Sequence, residues 1–573
     1  MSIHELSLRI PSVKQFHLAF DQFQELTFSA IFWLTAFTLL ASMLLGGGTR
    51  PGFFSDVLLQ LLSIPLLLLS ASRLIDLLRS DAQKRRQVRW ETIFCVAVVL
   101  LPIIQLVPLP PSLWTLLPNR ASTIAVFDDL NRKLPWMPIS VSPNDTWLTL
   151  PALIPPLAVY FGTVLLNYRE RRMLSLVVIV LGIVSAFLGL MQMAQGPASS
   201  LRFFTITNET DAVGFFANRN HFAALLNVLI LFAAAWAIDI AFDARFWHNL
   251  KAFEARSIAA ITASLLAVMV LLAAQAMTGS RAGMILMIVS LVGIYALVFS
   301  DRRHKFTATP INFLFVAAGT AILLAVQFGL YRALQRLSIG PLEDSRVQFV
   351  RTTLDAVRAY LPFGSGLGTF VPVYEMFEKI DDLFAYRYLN HAHNDIVEFM
   401  LEAGVFAIAL LGGFVAWLVS RAVKIWLRGA VGARELDRLL ARAAIIAIAL
   451  VLAHSVVDYP LRTAAMMGVF VFACALSIEP LTVNDRKPEW ARQASRAVTP
   501  ERVLQQPAAV PVTAPSLPAT GANPVAPLKP PRQSVARWGE DVEWPEAWRQ
   551  PSAGKAASTG KAKPANPEEP ETG

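Results

Sequence analysis

Charge is what this 573-residue chain has least of: 16% of its residues are Asp, Glu, Lys or Arg, whereas 55% are hydrophobic. Soluble domains carry about 25% charged residues. A chain this poor in charge cannot keep a soluble surface wet, so a soluble enzyme is excluded and an integral membrane protein remains. Cysteine is nearly absent. Cys95 and Cys474 are the only two, both inside apolar runs, which excludes a disulfide framework and a cysteine-based metal site. The net charge of +9 is dispersed over short loops and forms no basic stripe, so nucleic acid is not an expected partner. No cleavable signal is expected either, because the polar stretch of residues 1–27 is too long for the charged start of one. One glycine-rich stretch exists, Gly364-Ser365-Gly366-Leu367-Gly368. No strand precedes it, so a tight turn between helices is preferred to a dinucleotide fingerprint or a phosphate cradle.

Long apolar runs are abundant. They begin near Phe28, Phe53, Thr92, Trp147, Met173, Asn220, Ser257, Ala282, Ile311, Ile396, Ala441 and Arg462. At about 20 residues per crossing this predicts an all-α polytopic protein with about 12 transmembrane helices. Arginine and lysine follow every second span. Arg79, Lys84, Arg85 and Arg86 follow the second, Arg169, Arg171 and Arg172 the fourth, and Arg245, Lys251 and Arg256 the sixth. Arg302, Arg303 and Lys305 follow the eighth, and Arg421, Lys424, Arg428, Arg434, Arg438 and Arg442 the tenth. The positive-inside rule then puts both termini and these loops in the cytoplasm. Residues 1–27 become a cytoplasmic N-terminal segment and 28–479 the membrane domain.

The remaining loops face outward, and nearly all the unusual polar clusters are on that side. The longest, 331–394, contains Val347, Val350, Leu354, Val357 and Leu361 at helical spacing. This predicts an amphipathic helix lying at the membrane surface. Glu343, Asp344 and Ser345 bias its start and Pro362 stops it. Residues 480–573 are rich in Pro, Ala, Gln and Ser and read as a disordered cytoplasmic tail. Trp538, Trp544 and Trp548 alternate there with Glu540, Asp541, Glu543 and Glu546. Docking of a cytoplasmic partner and mere tail composition are equally good accounts of them.

The chemistry concentrates in residues 390–404, where His391, His393, Asn394, Asp395, Glu398 and Glu402 meet the start of an apolar helix. Ionisable groups at a membrane helix mouth are costly and mark function. Asn394, Glu398 and Glu402 fall on one helical face, and the two histidines precede a helix N-terminus that would favour an anion. An imidazole near its ordinary pKa suits proton removal at neutral pH. Two other readings stand beside it: a His-X-His metal site completed by Glu398, Glu402 or Asp458, and a hydrogen-bonded pair with no reaction to perform. Three outward arginines complete the inventory: Arg219 after Asn218, Arg281 after Ser280, and Arg346 at the amphipathic helix start. Guanidinium groups grip phosphate oxygens, and three of them can hold a diphosphate without a metal. Asp458, with His454 one turn before it, can orient a base or bind sugar hydroxyls.

Asn218-Arg219-Asn220-His221, Thr278-Gly279-Ser280-Arg281-Ala282-Gly283, the Pro362 to Phe370 segment and His391-Ala392-His393-Asn394 with Glu398 occur in this order. Over roughly residues 200 to 465 the pattern resembles the bacterial O-antigen ligase and O-antigen polymerase superfamily, which includes exopolysaccharide polymerases. The resemblance implies a GT-C-type glycosyltransferase domain in the bacterial inner membrane, with a periplasmic active site and no cofactor or metal. Its donor would be a glycan on undecaprenyl diphosphate, and its acceptor a lipid A core or a growing polysaccharide. His393 corresponds to the catalytic base, with His391 beside it. Arg219, Arg281 and more weakly Arg346 correspond to the diphosphate-binding arginines. Asn218, Asn220, His221, Ser280, Asn394, Glu398, Glu402 and Asp458 are the expected supporting residues. The alternative is a transporter or flippase for lipid-linked oligosaccharide. It would place polar groups through the span interiors near the midplane, whereas here they gather at outer helix ends.

Overall fold

A computed structural model describes residues 29–50, 52–241, 255–300, 345–379, 389–428 and 434–481. Every named secondary-structure element among them is helical. That follows from the solvent: in lipid a backbone must satisfy its own N–H and C=O groups, and a helix does so within one segment. Among the described residues, seven helices are long and apolar enough to cross a membrane, and Ala30–Leu45, Thr262–Met277 and Ala464–Leu476 are shorter apolar helices. Each expected span except one falls on a helix. The span expected from Ile311 lies outside the described residues, as do residues 1–27, the tail from residue 482 with its tryptophans, and 331–344 and 380–388 of the long loop.

In chain order the helices used below are α1 (Ala30–Leu45), α2 (Phe54–Ser80), α3 (Arg89–Leu106), α4 (Pro143–Ala152), α5 (Ile154–Leu165), α6 (Tyr168–Gln195) and α7 (Arg219–Ala241). They continue with α8 (Ala255–Met277), α9 (Arg281–Ser300), α10 (Ser345–Tyr360), α11 (Phe370–Phe377), α12 (Asp395–Ala403), α13 (Val405–Val423), α14 (Glu435–Ser455) and α15 (Ala464–Leu476). The centre is α7, whose apolar window is 83% buried. A helix apolar on every side belongs inside a bundle. Its run of Ala233, Ala234, Ala235 and Ala237 leaves room for neighbours to come close. It packs against α14, α8 and α9. By contrast α13 is 11% buried over its span, leaving most of its apolar surface for lipid.

Two expectations need correction. The apolar run from Ile396 does not begin a crossing. It forms the nine-residue α12, which stops at Gly404 (φ +57°) before α13 starts. The Val405 N–H bonds the Pro362 carbonyl there (2.9 Å), so the break is held by the preceding loop. The amphipathic α10 buries a different stripe from the one the valines and leucines suggested. Phe349, Ala356, Val357 and Tyr360 pack with Phe370, Val373, Tyr374, Ala392 and Leu401, whereas Leu361 is exposed. Aromatic side chains reach farther than valine and so decide which face is covered.

The glycine-rich stretch is the turn that locks α12 in place. The Ser365 and Gly366 N–H groups bond the Leu401 and Glu402 carbonyls (2.9 and 3.0 Å), and the Gly368 N–H bonds Glu402 Oε1 (2.9 Å). Gln105 on α3 joins both sides, donating to the Glu402 carbonyl and accepting from the Leu367 N–H (2.9 Å each). With its N–H groups spent internally, this backbone is a clamp. Gly364 sits at φ +80°, and an added Cβ would lie 2.5 Å from the Glu402 carbonyl oxygen. Gly364→Ala should therefore cost about 1–3 kcal/mol and lower the melting temperature of the detergent-purified protein by several degrees. A melt identical to wild type would show that the turn tolerates rebuilding.

Candidate active site

The site is built where α14 ends. The Val457 and Asp458 N–H groups both bond the His454 carbonyl (3.0 Å each), and Pro460 then opens the short 3-10 turn Pro460–Arg462 leading into α15. Proline suits a first helical position, where its missing N–H is no loss. Two tight turns in succession thus bring Asp458, Tyr459 and Arg462 together. On this platform α12 docks. The Asp395 N–H bonds the Asp458 carbonyl (3.3 Å), Asn394 Nδ2 donates to the Val456 carbonyl (2.7 Å), and the Ser455 hydroxyl donates to Asp395 Oδ2 (2.7 Å).

Arg462 lies against three carboxylates of α12. Its guanidinium is 3.6 Å from Asp395, 3.5 Å from Glu398 and 2.9 Å from Glu402. All three acids are buried. The acidic face is therefore Asp395, Glu398 and Glu402, whereas Asn394 caps the helix and accepts from the Ile396 and Val397 N–H groups (3.0 Å each). One cation cannot hold three anions out of water. Burial accordingly pushes Asp395 up to about 7, opposed by Arg462, and raises Glu402 as well. Burial acts to raise Glu398 too, but Arg462 and His391 outweigh it and lower its pKa to about 2. Glu398 also orders the loop before it: Oε1 is 2.8 Å from His391 Nδ1 and Oε2 accepts from the Ala392 N–H (2.8 Å).

That loop delivers His393, which adopts φ +52°, a left-handed conformation uncommon for a residue with a Cβ. Its Nδ1 is 3.0 Å from Asp458 Oδ1, and the ring stacks on Phe349 with centroids 6.1 Å apart. Asp458 itself is buried. Burial would raise its pKa, yet the His393 hydrogen bond and the Arg346 charge hold it far below the usual carboxylate range. An anion at Nδ1 keeps the proton on that nitrogen and leaves Nε2 basic. The other Asp458 oxygen accepts from Asn220 Nδ2 and faces Arg346 Nη2 at 3.9 Å. Tyr459 is ringed by three imidazoles, with centroids of His391 at 4.4 Å, His221 at 4.7 Å and His393 at 4.9 Å. Asn218 also hydrogen-bonds its side chain. His221 and His454 are fully buried, and neither ring has a hydrogen-bond partner among the described residues.

The fold thus gathers His391, His393, Asn218, Asn220, His221, Arg346, Asn394, Glu398, Glu402 and Asp458 into one cluster. Arg219 opens α7 one residue before Asn220 and is paired with the buried Asp211. Arg281 opens α9, and Ser280 caps that helix by accepting from the Gly283 N–H (3.0 Å). One expectation fails here. The four leading N–H groups of α12 are taken by Asp458, Asn394 Oδ1 twice and the Asn394 carbonyl, so this N-terminus has no donor left for an anion. Both His391 and His393 commit Nδ1 to a carboxylate, and no group of three or more His, Cys, Asp or Glu among the described residues is arranged to hold a metal.

Residues 265–412 match the family model described as O-antigen ligase. This segment is similar to O-antigen ligases, and the resemblance to the ligase and polymerase superfamily holds. No curated protein matches the chain. The O-antigen ligase match spans α9, α10 and α12, and so Arg281, Arg346, His391 and His393. The described site extends beyond it on both sides, through Asn220 and through Asp458, Tyr459 and Arg462. Arg462 and Tyr459 were missed from sequence. Arg462 stood at the edge of an apolar run, where an arginine ordinarily reaches the headgroup zone. Three acids on one short helix were the signal that a buried cation had to face them.

Two predictions follow from the carboxylate cluster. Arg462→Met leaves three acids buried without a cation and should destabilise the protein by on the order of 3 kcal/mol, read as a lowered melting temperature that partly recovers at acid pH. Recovery is expected because protonation removes the mutual repulsion; a melt insensitive to pH would contradict the cluster. The second concerns Asp395. Because its pKa is raised from 3.8 to about 7, the folded protein holds a proton that the unfolded chain releases. Its contribution is complete below about pH 4 and lost as pH rises through about 7. Glu402 acts in the same direction. Melting temperature should therefore fall from about pH 5 to about pH 8, and Asp395→Asn should flatten that fall. An unchanged slope in the variant would mean that Asp395 titrates normally.

Proposed function

We propose that the chain transfers a glycan from undecaprenyl diphosphate to a sugar hydroxyl on the periplasmic side of the bacterial inner membrane, with residues 28–479 as the glycosyltransferase domain. The His393–Asp458 pair carries this reading. It is an imidazole with one nitrogen held by a buried anion (3.0 Å) and a ring still 21% exposed. Such a pair is built to accept a proton at Nε2. His393 removes the acceptor hydroxyl proton, the oxygen attacks the anomeric carbon, and the bond from that carbon to the diphosphate oxygen breaks. The negative charge departs with the diphosphate. Arg346 already lies beside Asp458, and Arg219 and Arg281 supply the further guanidinium groups. Stabilising charge on the leaving group is commonly the largest catalytic effect. Because the N–H groups of α12 are spent internally, the arginines carry that role without this helix end. His391, tied to Glu398, flanks the base across Tyr459. The acceptor is the lipid A core for a ligase or the growing chain for a polymerase.

His393→Ala should insert and melt like wild type and lose about 10²–10⁴ in transfer rate, measured on lipid-linked donor in a reconstituted assay. Transfer at wild-type rate would exclude His393 as the base. The glycan profile of a deletion strain separates the classes. Long lipid-linked chains that never reach lipid A mark a ligase, and single repeat units with surface polymer lost mark a polymerase. Lipid-linked units retained on the cytoplasmic face would instead mark a transporter and remove the proposal.

A further inference from the structure

At the other end of the bundle, a cavity of about 80 Å³ opens between the first turns of α6 and α14 and the last turns of α13 and α15. The 21-residue α14 links the two ends, so the cavity lies about 30 Å from the histidines. Five cations line it: Arg171, Arg172, Arg421, Lys424 and Arg438. Two carboxylates, Asp437 and Glu479, oppose them. The cations are not equivalent. Arg171 is buried and spends its donors on carbonyls at the C-terminal ends of α5 and α15, including Thr163 and Val164 (3.1 Å each). It is a helix-end cap. Arg172 holds Asp437 with Nη1 alone (2.7 and 2.8 Å). Arg421 donates through Nε and Nη2 to the Ser477 carbonyl and forms no ion pair among the described residues. Lys424 is exposed at the rim and forms none either. Donors on Arg172, Arg421 and Lys424 therefore remain for an anion.

The walls decide what kind of anion. Ile425, Leu440 and Leu476 line the same cavity. Beside it, α13 has the apolar span least covered by protein among the seven long apolar helices of the described residues, and Val423 at its end and Leu427 just after it are exposed. A freely diffusing anion gains nothing from such walls. A lipid phosphate with its acyl chains running along α13 uses both the cations and the apolar rim. Basic pockets between membrane helices suit anionic headgroups for this reason. We propose that this cavity binds the phosphodiester headgroup of an anionic phospholipid from the leaflet on the basic side of the membrane, on a site separate from the His393 cluster.

The test is native mass spectrometry of the full-length purified protein, delipidated and titrated with phosphatidylglycerol, with phosphatidylethanolamine, and with inorganic phosphate alone. Phosphatidylglycerol should be retained over the zwitterionic lipid. Lys424→Gln should weaken that retention about fivefold and Lys424→Glu by about 30-fold, with unchanged melting temperature because Lys424 is exposed and forms no ion pair among the described residues. Arg421→Lys, which keeps charge but loses the fork, should weaken it less than Lys424→Glu. Equal retention of the two lipids, or indifference to Lys424→Glu, would overturn the proposal. So would phosphate binding as tightly without lipid, which would make the cavity a site for soluble anions.

Discussion

The site depends on one arginine facing three buried acids. Arg462 comes from the turn after α14, and Asp395, Glu398 and Glu402 from α12, so their attraction fixes a short helix that crosses nothing. Burial raises the pKa of Asp395 and of Glu402 even though Arg462 opposes it, which eases the accumulation of negative charge in the cluster. Glu398 keeps its charge and passes order onward. Its two oxygens hold the His391 ring and the Ala392 N–H, and the next residue is His393. The position of His393, the proposed base, is thus influenced by a carboxylate two contacts removed from it. Glu402 performs the same service on the other side, through Gly368 and, by its carbonyl, Gln105.

Much of the helical architecture was legible because hydrophobic run length is dictated by lipid. Runs starting near Phe53, Met173, Asn220 and Ala282 became the long helices expected of them. The break inside the run from Ile396 was not legible. Gly404 is one small residue in an apolar stretch, and only its contact with the Pro362 loop, distant in sequence, makes it an end. The buried stripe of α10 was misjudged for a related cause. Spacing alone gives Val347, Val350 and Leu354 as good a face as Phe349, Ala356 and Tyr360, and only the partner surface of α11 and α12 decides between them.

The candidate site was legible in its polar residues and illegible in their pairing. His393, Asn220, Arg346 and Asp458 each stood out as costly side chains at outer helix ends. Nothing in their spacing says that Asp458 touches His393, since 65 residues separate them. Arg462 was hidden by its chemistry: an arginine beside an apolar run reads as an interfacial anchor, and burial reverses that reading. Asn394 was the opposite case. It shares a helical face with Glu398 and Glu402 on paper, but an asparagine at the first position of a helix serves the backbone before it serves a site.

Satisfying the backbone has a consequence for how the site can hold charge. The N-terminal donors of α12 are bonded within the protein, and α9 is capped by Ser280. Helix ends facing a low-dielectric neighbourhood must be capped when no ligand is bound, because an unsatisfied N–H there is costly. A permanent cap in turn removes the donor from any anion that arrives. Guanidinium groups escape this conflict. Arg346 bonds the Val457 carbonyl through Nη1 and faces Asp458 with Nη2, contacts made by a long side chain that can exchange partners. Arg219 is paired with Asp211, a contact that a more highly charged anion can compete for. In the proposed reaction, anion binding by long cationic side chains while His393 is held by Asp458 would separate two demands on the site, rigidity at the proposed base and accommodation at the proposed leaving group.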